Sequence, residues 1–295
     1  MLFDTNKITT QALADDFFTD HGIELHVLRL DLIHGVVSGN KLFKLQHFLE
    51  KALASPEKTI VSFGGAYSNH LVATAYACQQ LGLKSIGLVR GEKPAVLSHS
   101  LQHCIQLNMQ LIFLSREQYQ QQAMLGIAEY QGTVVPEGGY HPLGAKGASA
   151  IMNLFPLLNP THVITATGTA TTLTGLLLNT NASQTIISVP VIKGMEDLNE
   201  RIKYLSENKT LPAYESWPDA HEGGYAKHSP GLIAFMNSFY RSYQLPTDVV
   251  YTGKMMKAVM QKIESHYFPR GSQILCIHTG GLQGNRSFPE NTFLF

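Results

Sequence analysis

The chain is poor in the material from which staples, metal cages and membrane anchors are made. Its 295 residues include three cysteines, Cys78, Cys104 and Cys276. An odd, widely spaced set builds neither a disulfide scaffold nor a CxxC zinc site. Charged residues make up 15%, and Lys+Arg and Asp+Glu stand at 22 each. No basic surplus exists to recruit nucleic acid or anionic membrane, so neither is expected as a partner. The least polar long stretch, 164–178, carries Thr and Gly and is too short to cross a bilayer. The N-terminus has Asp4 and Lys7 early and no long apolar segment, which leads us to expect no signal peptide and a cytoplasmic protein. Familiar phosphate and hydrolase signatures are missing too. No G-x-S-x-G elbow, no G-x-G-x-x-G after a strand and no G-K-[ST] occurs, and Gly139 to Gly144 runs on into Ala145 and Lys146. The one tryptophan, Trp217, reads as packing near a loop.

What is present is 44% hydrophobic residues arranged in short runs. Runs rich in Val and Ile, bounded by Gly, Pro or polar residues, predict strands over 24–30, 59–63, 85–89, 111–114, 133–135, 162–166, 185–190 and 273–277. Between them the pattern predicts helices over 41–54, 71–81, 97–108, 117–129, 147–157, 170–178, 229–243 and 253–267. Strand then helix, repeated, predicts an α/β protein with mainly parallel sheets. Four strand–helix units between about 55 and 150 suffice for a small lobe, with the rest in a larger sheet. Open α/β sheets bind ligands at the carboxyl ends of their strands, so the strand-to-helix turns are where chemistry is expected.

Four segments at such turns stand out. Ser38-Gly39-Asn40-Lys41 enters the first amphipathic helix. A lysine in a helix's first turn faces the positive dipole end, and burial depresses its pKa further, as a covalently reacting amine requires. Gly64-Gly65-Ala66-Tyr67-Ser68-Asn69-His70 follows a strand and offers a capped helix start, a natural carboxylate or phosphate site. Ala166-Thr167-Gly168-Thr169-Ala170-Thr171-Thr172 supplies small residues and hydroxyls that can cradle a phosphate without Lys or Arg. His278-Thr279-Gly280-Gly281 brings a hydroxyl and bare backbone after the last strand. Taken singly, each also reads as an ordinary capped or glycine turn. His99 and His103, four apart on a helix, have the spacing to share a metal, but no third ligand is placed beside them and no metal is expected. Cys276, on the strand before His278, reads as a small buried hydrophobe.

A phosphate cradle, a reactive lysine and a carboxylate-binding turn together suggest an amino acid enzyme that uses pyridoxal phosphate. The ordered motifs SGNKLFKL, GGAYSNH, ATGTATT, VYTGK and HTGG, spanning roughly 24–285, resemble the D-cysteine desulfhydrase and 1-aminocyclopropane-1-carboxylate (ACC) deaminase family. That family belongs to the tryptophan-synthase-β-like group of pyridoxal phosphate enzymes. The resemblance implies a two-lobed α/β fold with the cofactor between lobes: a small domain over 45–150, a large one over 1–44 and 151–295, and a homodimer. It implies that Lys41 bonds covalently to the cofactor and that Asn69 meets its 3-hydroxyl. It implies a substrate carboxylate site at Ser68, Asn69 and His70. The phosphate loop is then Thr167, Gly168, Thr169 and Ala170, with Thr171 an added donor. Tyr251 is the tyrosine near the ring, Tyr225 a second one, and Thr279 a further cofactor contact. Where ACC deaminases carry Glu against the pyridine nitrogen this chain has Thr252, and where they carry Leu it has Thr279. Both positions resemble the desulfhydrase branch. The expected reaction is β-elimination from a small D-amino acid, D-cysteine to pyruvate, ammonia and sulfide. ACC deamination, another D-amino acid lyase such as a D-serine dehydratase, and a non-catalytic pyridoxal phosphate binder stand as alternatives.

Overall fold

A computed structural model describes residues 2–35, 37–125 and 130–295. Among these residues the strands are β1 (Thr10–Leu13), β2 (Glu24–Arg29), β3 (Thr59–Gly64), β4 (Lys84–Arg90), β5 (Gln110–Leu114), β6 (Thr133–Val135), β7 (His162–Thr167), β8 (Thr185–Pro190), β9 (Tyr214–Ser216) and β10 (Gln273–His278). The helices are α1 (Asp16–His21), α2 (Lys41–Ala54), α3 (Asn69–Leu81), α4 (His99–Gln106), α5 (Arg116–Leu125), α6 (Pro142–Ser149), α7 (Thr171–Leu178), α8 (Leu198–Leu205), α9 (Pro230–Tyr243) and α10 (Thr252–Glu264). Of the described helices, none is long and apolar enough to cross a membrane.

Two sheets result. One runs β1-β2-β10-β7-β8-β9 and the other β5-β4-β3-β6. All the pairings are parallel except β1 with β2. The central strands are buried on both faces. Every residue of β3 is buried, and so are five of six in β7, β8 and β10. That explains why they read in sequence as continuous apolar runs rather than alternating ones. The two-lobed, mainly parallel α/β architecture is the one the sequence predicts.

The lobes share one core. Ile60 and Val135 of the smaller sheet and Leu28 and Ile277 of the larger belong to the same apolar cluster, with Phe43, Phe48 and Leu49 of α2 between them. Small residues let the bridging helices close up. A Cβ on Gly147 of α6 would lie 2.1 Å from the Phe43 carbonyl oxygen of α2. One on Gly175 of α7 would lie 2.6 Å from Ala148 Cβ of α6. Helix α6 is thereby packed closely against both α2 and α7, whose first turns matter most below.

Three expectations need correction. The helix placed at 147–157 begins at Pro142, because Pro occupies N1 and the His141 ring accepts a hydrogen bond from Leu143 N. It gives way to a 3-10 turn, Ala150–Asn153, before reaching 157. The strands β1 and β9 were not foreseen: both are sheet edges, short and largely exposed, so they lack the apolar run that marks a strand. The short helices α1 and α8 were missed as well. The helix expected over 117–129 is seen as Arg116–Leu125, and 126–129 lie outside the described residues.

Candidate active site

The motif residues of α2 and β10 are held together by bare backbone. Gly39 has φ +88°, and a Cβ there would lie 1.8 Å from the Thr279 carbonyl oxygen. Gly280 has φ +76°, and a Cβ there would lie 2.7 Å from Ser38 and Gly39 backbone atoms. Only glycine tolerates both the left-handed backbone and the contact. Gly39 N donates to Leu30 O at 2.9 Å and Asn40 N to Thr279 O at 3.2 Å, fixing the entry to α2.

Lys41 is the first residue of that helix. Its Nζ donates to Asn40 Oδ1 at 2.7 Å and lies 5.8 Å from the Tyr251 ring centre. Asn40 does not cap the helix; its Nδ2 instead donates to Thr172 Oγ1 at 2.7 Å, joining α2 to α7. Burial pushes the Lys41 amine down to about 8, and the Asp248 carboxylate limits the fall. Lys44, one turn on and buried, reaches Gly138 O at 3.4 Å. Burial and the nearby Lys41 charge drive its pKa well below the usual lysine range. Sequence reading passed over Lys44. Its signal was the three-residue spacing to Lys41, which sets both amines on one helix face.

The Thr-rich turn forms the opposite wall. Ala170 adopts left-handed backbone at φ +65° and stands at the N-cap of α7, where no side chain caps the helix. Thr169 Oγ1 and Thr171 Oγ1 lie 2.9 Å apart, and Ser188 Oγ donates to Thr167 Oγ1 at 2.8 Å. A left-handed turn feeding an uncapped helix start turns N–H groups and hydroxyls toward one point, an arrangement suited to a phosphate. Keeping a non-glycine residue there costs about 1 kcal/mol of strain or more.

One cleft is lined by Ser38, Asn40, Lys41, Lys44, Asn69, Gly138, 166–173, Tyr251 and 279–281. Of the residues expected in the site it therefore gathers Lys41, Asn69, Thr167, Gly168, Thr169, Ala170, Thr171, Tyr251 and Thr279. No carboxylate side chain is among its lining residues. Asn69 Oδ1 is buried without a hydrogen-bond partner, a sign that a ligand donor belongs there.

The side chains of Ser68 and His70 do not line this cleft. Ser68 Oγ caps α3 by accepting from Leu71 N at 3.2 Å. The His70 ring is buried, with Nε2 3.1 Å from Ser62 Oγ on β3. Burial and the charges of Lys41 and Lys44 push its pKa down to about 3, so the ring is neutral. Tyr225 does reach Tyr251. Its exposed ring meets that of Tyr251 edge-on, with ring centroids 6.2 Å apart. Burial together with Tyr225 and Asp248 raises the Tyr251 phenol well above its ordinary value, so Tyr251 stays protonated. The same motif holds the loop of Tyr225 in place: Lys254 Nζ donates to His221 O at 2.9 Å and Gly224 O at 2.7 Å.

Thr252 is elsewhere than expected. Its fully buried hydroxyl donates to Asp248 Oδ1 and accepts from Asp248 N, both at 2.7 Å, and it does not line the cleft. The cause is a helix cap. Asp248 also accepts from the N–H groups of Val250, Tyr251 and Thr252 at 2.8–3.0 Å, and the Thr252 hydroxyl completes that set. Asp248 itself was not singled out from the sequence. Cys276 is fully buried in the core of the larger sheet, where burial pushes its thiol pKa up. Among the described residues no group of three His, Cys, Asp or Glu side chains is placed to hold a metal.

Known proteins resemble this chain along most of its length. A family model described as "Pyridoxal-phosphate dependent enzyme" matches residues 5–280. A Thermotoga maritima protein named "Putative 1-aminocyclopropane-1-carboxylate deaminase" is 29% identical, with 90% of each chain covered. A Pyrococcus abyssi protein of the same name is 27% identical, covering 89% of this chain and 86% of its own. Among solved structures, an ACC deaminase homologue superposes with a TM-score of 0.82 at 24% identity, over 97% of this chain and 92% of the other. Threonine deaminase isoform 2 from Solanum lycopersicum does so at 0.69 and 14% identity, over 93% and 79%. The residues present fit the cofactor. Lys41 offers an amine of lowered pKa, the turn into α7 a cradle for phosphate, and Asn69 an unsatisfied oxygen facing a ring hydroxyl's chemistry. On this match and this fit, the chain belongs to the pyridoxal-phosphate dependent enzyme family.

Proposed function

We propose that the protein is a lyase that eliminates from Cβ of a small D-amino acid, with D-cysteine its best substrate. The observation that carries the reading is Lys41: a half-buried amine with its pKa near 8, held between Asn40 and Tyr251. At neutral pH such an amine is partly unprotonated and suits taking the Cα proton as a general base. When bound, pyridoxal phosphate supplies the electron sink for the pair left on Cα.

This chain's residues do the rest. Thr167, Gly168, Thr169, Ala170 and Thr171 hold the phosphate, and Asn69 orients the ring. The start of α3, where Asn69 lines the cleft, receives the substrate carboxylate. Tyr251, protonated and beside Tyr225, orients the substrate. Overall, D-cysteine and water give pyruvate, ammonia and hydrogen sulfide.

The cleft lining favours elimination over cyclopropane opening. With no carboxylate in it, nothing holds the ring nitrogen protonated as a Glu would, which leaves a weaker electron sink. Expulsion of a thiolate asks less of that sink than breaking a strained carbon–carbon bond. ACC deamination remains the second reading, favoured by the names of the two curated relatives. The test of the role of Lys41 is Lys41→Ala. The variant is expected to form no pyruvate from D-cysteine, and substantial pyruvate formation would overturn the assignment.

A further inference from the structure

A second cavity, of about 140 Å³, adjoins the cleft and shares Ser38 with it. At roughly 30 Å³ per water it has room for four or five waters, or for one small oxyanion with water. Three buried polar atoms on its lining residues have no partner: Ser38 Oγ, His99 Nε2 and Ser100 Oγ. Ser100 is 2% exposed. A buried polar group left unsatisfied costs about 1–3 kcal/mol, so three of them on residues lining one space favour a polar occupant there.

Apart from Asp31, whose carboxylate is paired, the polar groups around the space favour an anion. His99 and Ser100 open α4, whose N-terminus carries the positive end of the helix dipole. His103 lies one turn further along, and Arg286 comes in from the C-terminal segment. His103 is close enough to both Arg286 and His99 for their charges, after burial, to depress its pKa. Asp31 also borders the cavity, but its carboxylate is occupied by Arg29 at 2.7 Å and by His278 at 3.2 Å.

We infer that this cavity binds a small anionic group, held by Ser38, His99, Ser100, His103 and Arg286. The anion is either a free oxyanion or the distal acidic group of an amino acid in the adjoining cleft. Only the choice between these two rests on the lyase reading; the anion site itself does not.

The test uses holoenzyme saturated with pyridoxal phosphate, so that the phosphate loop is filled. Inorganic sulfate is titrated against chloride at matched ionic strength while thermal unfolding is followed. The site predicts a saturable rise in midpoint specific to sulfate. In Arg286→Gln and Ser100→Ala the apparent affinity is expected to fall about ten-fold, as loss of a hydrogen bond to a charged group implies. An equal, unsaturable effect of both salts, or unchanged sulfate affinity in both variants, would overturn it. The source is then read from kinetics with D-cysteine. Sulfate that raises KM at constant kcat marks the pocket for a substrate's distal group. Sulfate that leaves KM unchanged marks a separate anion site.

Discussion

Gly39 and Gly280 meet backbone to backbone, with no room for a side chain on either. A Cβ on Gly280 would lie 2.7 Å from Gly39 Cα. The contact locks the turn that carries Lys41 onto the turn that carries Thr279, so two motifs far apart in the chain form one wall of the cleft.

Gly39→Ala tests that lock. The new methyl meets the Thr279 carbonyl and the residue must keep φ +88°, two penalties of about 1–3 kcal/mol or more each. The variant is expected to lose cofactor, read from its visible absorbance, and to unfold at lower urea. A variant that retains cofactor and wild-type stability would show that the turns are not coupled in this way.

Charge beside Lys41 is expected to move the pH profile in opposite directions. Asn40→Asp places a carboxylate against the amine, which favours its protonated form. The acid limb of kcat should then move up by about one pH unit or more. Asp248→Asn removes the group that now raises the Lys41 pKa, so the limb should move down. A circular dichroism melt of Asp248→Asn separates this effect from loss of the α10 cap. Shifts of the same sign in both variants would contradict the electrostatic account.

His70 makes the fold acid-sensitive. Its pKa is about 3 folded against 6.5 unperturbed, first through burial and then through Lys41 and Lys44. Above pH 6.5 the ring is neutral in both states and carries no penalty. As pH falls from 6.5 toward 3 the unfolded chain binds one more proton, and stability drops by about 1.4 kcal/mol per unit. His70→Gln is expected to flatten that slope, measured from urea unfolding at pH 7 and pH 5.

Thr252 offers a contrast between structural and chemical roles. Thr252→Val leaves Asp248 one donor short and is expected to cost about 1–3 kcal/mol of stability. The absorbance maximum of bound cofactor should not change, because the hydroxyl does not face the cleft. A shifted maximum would return Thr252 to the ring nitrogen.

Much of this was legible in the sequence because the central strands are buried on both faces and the turns after them are made of Gly, Ser and Thr. That marked the turns carrying Lys41, Asn69 and the entry to α7 as places to look for chemistry, and the roles of their residues came with the resemblance to a known family. What could not be read were pairings that depend on where a side chain points. Ser68 and His70 follow one another with Asn69, yet only Asn69 lines the cleft; the cap takes Ser68 and the core takes His70. Thr252 follows Tyr251, but the preceding Asp248 claims its hydroxyl. Lys44 and Asp248 announce nothing locally. They matter because the fold brings Gly138 to one and Gly281 to the other.

The central claim is the reaction itself. The purified protein, saturated with pyridoxal phosphate, is given D-cysteine, L-cysteine, D-serine and ACC in separate reactions, with keto acid and sulfide measured. The account predicts equal amounts of pyruvate and sulfide from D-cysteine, and little product from ACC. Formation of 2-oxobutyrate from ACC with no sulfide from D-cysteine would contradict it.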